Sequence, residues 1–237
     1  HRFLTRHEIQ YFLNHKHHAK INLWLNQLSE QHFIHRFYNP STINTPAVYS
    51  LDSKGRKYLL GNSDKFPFVD KVVLNRIWKE NKYEQDFRDK CIFLANINIC
   101  LERTSRAEHL KLAYLTRTQL NGIEPMVKPL PDSYFYISNI NKNLKLYFVD
   151  YFYDLPPRMA LRKRVKKYIA YFDTNSWQEE TNTEFPIIIF VLPDQRSINY
   201  LSKFIKTLDD EYEDLKFRLV LRSEILSDNF IKSLIPN

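Results

Sequence analysis

Two aspartates have the sequence context of a metal-dependent nuclease site. Asp132 stands directly before a predicted strand at 133–137, and Asp150 lies inside the next predicted strand at 144–153. Carboxylates on adjacent strands can together bind one Mg²⁺. The alternative is that Asp132 caps a turn and that Asp150 is a paired or exposed strand residue. We favour this non-catalytic interpretation, under which no cofactor is expected, and Mg²⁺ is expected only for a nuclease.

The lysine of such a site is missing from the position where it is expected. A lysine orients the attacking water or stabilises the charged transition state, and it would stand two residues after the second acid. Phe152 occupies that position. Lys163 or Lys166 on the next helix could supply the charge instead. Further carboxylates could come from Asp154 or Glu102.

Basic residues are concentrated in the first quarter of the chain. The net charge is +8 over 237 residues, and residues 1–61 hold eight Lys/Arg against three acids, together with seven of the eight histidines. Such an excess favours a polyanionic partner. His15, His17 and His18 lie close enough to chelate a metal, but neither a Cys nor clustered carboxylates complete a site. Partly charged histidines near phosphate are the favoured interpretation.

The first sixty residues predict a winged helix-turn-helix. A capping box at 5–8 starts a first helix, a polar turn follows at 14–18, and Ile21, Trp24, Leu25 and Leu28 form the apolar face of a second helix. Strands at 33–38 and 47–51 and a short helix at 52–61 complete the order. The second helix of this architecture lies in the DNA major groove. The predicted DNA contacts are Lys16, His17, His18, Lys20, Asn22, Asn26, Arg36, Lys54 and Lys57. The alternatives are a solvated helix face and a protein-binding module.

The remainder of the chain predicts a mixed α/β domain. After a linker at 63–84 with a helix, a long helix from 85 is followed by three strands, a helix from 159 to 172, a strand at 187–192, another helix and a last strand. This is the core order of the PD-(D/E)xK nuclease fold. The predicted fold class is therefore α+β, with a winged helix-turn-helix at 1–62, a helical linker at 63–84 and a PD-(D/E)xK-like domain at 85–237.

The helix at 159–172 offers a second basic surface. Six Lys/Arg stand between positions 158 and 167 with no acid among them. Four of them are predicted to contact DNA phosphates: Arg162, Lys163, Lys166 and Lys167. Tyr168, Tyr171 and Phe172 could stack on unpaired bases. The alternative is that the charges are a solvated face and that four residues of this helix pack inward: Val165, Tyr168, Ile169 and Phe172.

Composition excludes several classes of protein. Three glycines are too few for a P-loop or a dinucleotide-binding fingerprint, and two cysteines, Cys91 and Cys100, are too few for a disulfide framework. Both cysteines are predicted to be core residues. No apolar run is long enough to cross a membrane, so membrane binding is not expected. We expect a cytoplasmic protein.

The chain resembles the replication-relaxation family of plasmid and mobile-element proteins. Six segments carry the resemblance: 3–28 with 33–36, 47–51 with Gly55, 130–134, 147–151, 162–171 and 186–196. The sequence departs from the family where Phe152 replaces a second acid and where Asp150 replaces the common Glu. The resemblance implies a DNA-binding accessory role in plasmid replication, relaxation or conjugative transfer. The implied partners are double-stranded DNA, a relaxase or replication protein, and a second copy of the chain.

Three functions are therefore considered. The first, which we favour, is a non-catalytic protein that recognises a specific duplex and recruits a replication or transfer enzyme. The second is a metal-dependent nuclease that uses Asp132 and Asp150. The third is a winged-helix transcription regulator.

Overall fold

The protein has an α+β fold made of two compact units. The computed structural model describes residues 1–41, 45–66, 71–141, 143–154, 156–208 and 212–236. The units are His1–Ile99 and Cys100–Asn237. The predicted α+β class is confirmed. The division falls inside a helix instead of at the predicted linker, 63–84, of which positions 67–70 lie outside the described residues.

The first unit combines helices with a small antiparallel sheet. In the sheet, the strands have the order β1-β3-β2, with Arg36 opposite Tyr49. The sequence predictions omit β1, because two residues are too few to show a periodic pattern. The elements are β1 (Leu4–Thr5), α1 (Arg6–Phe12), α2 (His18–Glu30), β2 (Ile34–Phe37), β3 (Val48–Leu51), α3 (Ser53–Gly61), a 3-10 turn (Ser63–Lys65), α4 (Lys71–Glu80) and the start of α5 (Gln85–Ala107).

The start of α1 has the predicted capping box. The backbone N–H and the hydroxyl of Thr5 both donate to the Glu8 carboxylate, at 2.7 and 2.5 Å, and the Thr5 hydroxyl oxygen accepts from the His7 N–H. These bonds satisfy N–H groups that a helix start leaves without partners. The cap therefore fixes where α1 begins.

The small sheet is apolar on both sides. Consecutive residues of a strand point to opposite faces, so Tyr49 packs with Ile21 and Leu25 of α2, while Val48 packs with Phe3 and with α5. The expectation that Trp24 and Leu28 also lie inward is wrong, because these side chains are 42% and 39% exposed. Strands of two to four residues cover only a narrow stripe of a 13-residue helix.

The predicted linker packs as part of the first unit. Glu80 at the end of α4 forms a buried ion pair with Arg2 at 2.6 Å, Asn81 accepts from the Ser50 hydroxyl at 2.6 Å, and Arg56 donates to Asn75 at 2.8 Å. Two of the eight basic residues of the first quarter, Arg2 and Arg56, therefore hold the unit together and are not available to a polyanion.

Gly55 in α3 is required by a close approach of two backbones. A Cβ at this position would overlap the Phe33 carbonyl oxygen and would lie 2.9 Å from Cδ1 of Leu51. We expect Gly55→Ala to lower the free energy of unfolding by about 1–3 kcal/mol, the usual cost of overpacking. Gly61→Ala is the matched control, because nothing lies within 4 Å of its Cβ, and it should stabilise α3 by about 0.5–1 kcal/mol. Urea unfolding of both variants measures the difference, and equal stabilities would contradict the prediction.

The second unit is built on a five-stranded mixed sheet. The strand order is β4-β5-β6-β7-β8, in which β4, β5 and β6 are antiparallel neighbours and β7 and β8 run parallel to β6. The antiparallel pairing predicted for β5 and β6 is confirmed. The elements after α5 are β4 (Lys111–Thr116), α6 (Arg117–Leu120), β5 (Ser133–Ser138), β6 (Leu144–Tyr151), α7 (Arg158–Phe172), α8 (Ser176–Thr181), β7 (Ile187–Leu192), α9 (Gln195–Ile205), β8 (Phe217–Leu221) and α10 (Asp228–Lys232).

The core of the second unit lies between the sheet and the helices α7 and α9. β7 is buried almost throughout, as its continuous apolar run predicts for a strand covered on both faces. Leu161 and Val165 of α7 and Leu201 of α9 pack into the same cluster as Phe148 of β6 and Phe190 of β7. This packing fixes α7 over β6 and so brings the inner side of α7 to Asp150.

Candidate functional site

Helix α2 turns a mostly polar side outward. Ile21 and Leu25 are buried, and with 3.6 residues per turn the opposite side of the helix is centred on Leu23, with Lys20 and Asn26 on either side of it and Asn22 at its edge. All four of these outward residues are exposed. The sequence predictions omit Leu23, which is 54% exposed. Its position two residues after the buried Ile21 is the signal that could have identified it.

The outward side of α2 carries groups that can contact DNA. An Asn amide can donate to and accept from an adenine edge, a Lys ammonium can pair with a phosphate, and an apolar side chain can contact the methyl group of thymine. Asn26, Asn22, Lys20 and Leu23 supply these three kinds of group on one helix. The arrangement can therefore both read base edges and hold the backbone.

The connection between α1 and α2 adds further exposed groups. Lys16, His17 and His18 are all exposed. His15 is held locally, because its Nδ1 accepts from the His17 backbone N–H at 3.1 Å and its ring packs edge-on against Trp24 at 5.0 Å. In the described parts of the chain, no three His, Cys, Asp or Glu residues are grouped as metal ligands.

Arg36, Lys54 and Lys57 are exposed on two other elements. Arg36 pairs with Tyr49 across the strands, and cross-strand partners share a sheet face, so Arg36 lies on the side that packs against α2. Its guanidinium carbon is 5.0 Å from the centre of the Tyr38 ring. Lys54 and Lys57 lie on α3, and the Lys54 backbone N–H donates to the His32 carbonyl just after α2. The predicted contacts therefore lie on three elements, α2, β2 and α3, and on the residues just before α2.

A cleft of about 540 Å³ lies beside β2 and includes a basic residue that the sequence predictions omit. Arg36 and Tyr38 line it together with Arg88 of α5. The Arg88 guanidinium lies 4.5 Å from the Phe37 ring centre and donates to the Tyr83 carbonyl at 2.7 Å. A second arginine thus lines the same cleft as Arg36. Arg88 could not be found from sequence, because a single arginine in a long helix of mixed charge has no distinguishing pattern.

The two candidate nuclease carboxylates are buried and engaged with protein groups. Asp150 accepts two hydrogen bonds from Arg164, at 2.5 and 3.0 Å, and a third from the Tyr168 hydroxyl at 2.9 Å. Arg164 also donates to the Pro129 carbonyl at 2.6 Å. Asp132 accepts from the Tyr151 backbone N–H at 2.9 Å and pairs with Arg117 at 3.4 Å.

The electrostatics of this cluster favour a buried ion pair. Burial raises the pKa of the Asp150 carboxyl, and Arg164 and Tyr168 oppose that rise. Burial alone would lower the pKa of Arg164, but Tyr168 and Asp150 raise it above its ordinary value, so the guanidinium stays charged. The bidentate geometry matches a carboxylate and a guanidinium. The cluster does not fit a Mg²⁺ site, because the guanidinium already uses both Asp150 oxygens.

Neither candidate lysine reaches this cluster. Lys163 and Lys166 are exposed, whereas Arg164 on the same helix is buried with Leu161 and Val165. Neighbouring positions on a helix point in directions about 100° apart, so the two lysines lie away from the acids. The expectation that Lys163 or Lys166 could reach in is wrong.

The aromatic residues of α7 pack inward. Tyr168 is buried, and Tyr171 and Phe172 are half-buried with their rings against Phe185. The interpretation that they stack on unpaired bases is therefore wrong, and the inward packing predicted for Tyr168 and Phe172 is confirmed. The four predicted phosphate contacts of this helix remain exposed: Arg162, Lys163, Lys166 and Lys167.

The remaining sequence expectations concern the cysteines and the membrane. Cys91 is buried in the apolar cluster with Phe3, as predicted for a core residue. Cys100 is half-buried, and burial raises the pKa of its thiol, which disfavours a reactive thiolate. Among the described helices, none is both long and apolar enough to span a membrane.

Comparisons with known protein families, with curated proteins and with solved structures found no match to the chain.

Proposed function

We propose that the chain is a non-catalytic protein that binds a specific double-stranded DNA sequence through a winged helix-turn-helix in its first unit. The observation that carries the proposal is the exposed side of α2, with Leu23 at its centre, Lys20 and Asn26 on either side of it and Asn22 at its edge. The β2–β3 pair that follows α2, within a sheet of order β1-β3-β2, supports the interpretation of the pair as the wing. In this architecture, α2 enters the major groove.

Support for a non-catalytic second unit comes from the buried acids. Asp150 is used by Arg164 and Tyr168, and the motif lysine is absent because Phe152 stands in its place. We propose that this unit is a degenerate PD-(D/E)xK-like scaffold. Its sheet, in which the antiparallel strands β4, β5 and β6 are followed after α7 and α8 by the parallel strands β7 and β8, supports this proposal.

The biological setting that we propose is plasmid replication, relaxation or conjugative transfer, with a relaxase or replication protein as partner. This part rests on the sequence resemblance described above. A homodimer would place two α2 helices on two half-sites about one helical turn of DNA apart. If the bound site were a promoter instead of an origin, the protein would be a transcription regulator.

Selection from a random duplex library tests sequence-specific binding. We expect the full chain to enrich one motif, and the logarithm of its affinity to fall linearly with the logarithm of the salt concentration. The triple variant Lys16→Ala/Lys20→Ala/Arg36→Ala should reduce the steepness of that dependence by up to about 2.7, since each phosphate contact contributes about 0.9.

A matched variant separates local contact from net charge. Lys71→Ala/Lys79→Ala/Lys82→Ala removes three exposed charges from α4 and the residues after it, and the salt dependence should stay unchanged. No enriched motif would contradict the proposed function. Equal effects of the two triple variants would contradict the assignment of Lys16, Lys20 and Arg36 to the DNA contact.

A further inference from the structure

Two helices of the second unit, α7 and α9, together form a continuous basic surface. α7 contains six Lys/Arg and no acid, and α9 contains two Lys/Arg and no acid. All but Arg164 of these eight side chains are exposed. The α7–α9 surface is defined as six of these seven exposed side chains, without Lys167: Arg158, Arg162, Lys163, Lys166, Arg196 and Lys203.

Cation–π contacts join the two halves of the surface. The Arg158 guanidinium carbon lies 5.0 Å from the centre of the Tyr200 ring, and that of Arg162 lies 4.9 Å from Tyr200 and 5.0 Å from Phe204. Two arginines of α7 therefore rest on α9. The line of contact between these arginines and α9 is called the seam. With 3.6 residues per turn, Lys166 of α7 and Lys203 of α9 flank the seam on its outer side. The sequence showed only the α7 half, because α9 is separated from it by β7.

We infer that the α7–α9 surface binds the phosphate backbone of duplex nucleic acid without reading its sequence. Long basic side chains can neutralise phosphates at several points along two adjacent helices. Single strands are bound by stacking on exposed aromatic rings, but Tyr168 is buried and Arg158 and Arg162 already cover Tyr200 and Phe204. The α7–α9 surface thus carries positive charge, but these aromatic rings are not open for a base to stack on.

A lipid surface fits these helices less well than a duplex does. Helices that bind membranes insert a broad apolar side among the lipids. The apolar sides of α7 and α9 are buried in the core through Leu161, Val165 and Leu201. Along α7, all of which is described, Met159 is the single large apolar side chain that is mostly exposed.

This backbone contact adds to the proposed function, and its biological meaning rests on that function. Its residues all belong to the second unit. One chain would then make a sequence-specific contact with DNA through the first unit and a separate contact with the DNA backbone through the second. Two linked contacts raise the overall affinity without new sequence information. The protein could then hold DNA beside its specific site or bring a second duplex segment to it.

The test uses the full chain, a duplex of random sequence about three helical turns long, and four substitutions on the surface. Lys163→Ala, Lys166→Ala, Arg196→Ala and Lys203→Ala together leave the seam arginines and the core intact. We expect the salt dependence of random-duplex affinity to become less steep by up to about 3.6, or about 0.9 for each phosphate that the variant no longer neutralises. The matched control is Lys111→Ala/Lys128→Ala/Lys216→Ala/Lys232→Ala, four exposed lysines of the same unit, which should behave like the unchanged protein.

The outcomes separate this inference from the proposed function. An unchanged salt dependence in the α7–α9 variant would overturn the inference, even if motif selection by the first unit succeeded. A reduced dependence with no selected motif would support the inference while the proposed function failed. Tighter binding of the unchanged protein to vesicles of anionic phospholipid or to polyglutamate than to duplex, abolished in the same variant, would also overturn it.

Discussion

Arg164→Ala is expected to destabilise the second unit by about 3–5 kcal/mol, the usual cost of removing one partner of a buried ion pair. The substitution removes two hydrogen bonds from Asp150, which is buried between β6 and α7. It also leaves the Pro129 carbonyl without the guanidinium donor. A buried carboxylate without its counter-charge is strongly unfavourable. Urea unfolding and amide hydrogen exchange of residues 144–151 measure the global and the local effect.

Two controls show whether the destabilisation comes from the unpaired charge. Lys163→Ala removes the adjacent exposed charge of the same helix and should change stability by less than about 0.5 kcal/mol. The triple variant Asp150→Leu/Arg164→Met/Tyr168→Phe removes the whole polar cluster, and it should recover most of the stability, because apolar replacement of a buried pair is often neutral. An Arg164→Ala protein as stable as Lys163→Ala would show that the pair does not hold α7 on the sheet.

The Arg164 pair shows what the sequence did and did not reveal. Leu161, Val165 and Tyr168 have helical spacing, and Arg164 falls on the same side as these three. An acid at position 150 inside an apolar strand was a second signal. Neither signal was decisive alone, because a run of six basic residues is typical of a solvated face. Only the packing of α7 over β6 shows that one of the six points inward to an acid.

Elements with a long or continuous apolar pattern were predicted well. The capping box predicted the start of α1, and the uninterrupted apolar run predicted β7. Three elements, β1, α6 and α8, were not predicted, because in their two, four and six residues no periodic apolar pattern is visible. For α2, periodicity gave the helix but not the extent of its buried side. That extent depends on the size of the sheet, as the exposure of Trp24 and Leu28 demonstrates.

Asn22→Ala/Asn26→Ala is expected to weaken binding to the selected motif by at least about 30-fold, while affinity for random duplex stays unchanged. A good amide contact to a base contributes about 1–3 kcal/mol of discrimination, and two contacts should contribute at least about 2 kcal/mol together. An uncharged amide neutralises no phosphate, so the sequence-independent part of the affinity is retained. Both side chains are exposed, and Ala has the higher helix propensity, so α2 itself should not be weakened.

Fluorescence anisotropy with the motif duplex and a scrambled duplex measures the ratio of the two affinities. Lys20→Ala is the contrasting variant on the same helix, since removing a phosphate contact should weaken binding to both duplexes by the same factor. Asn121→Ala, an exposed Asn of the second unit, should leave both affinities unchanged. If the double Asn variant bound both duplexes more weakly by the same factor, α2 would act only as a backbone contact. If neither affinity changed, sequence readout would lie outside Asn22 and Asn26.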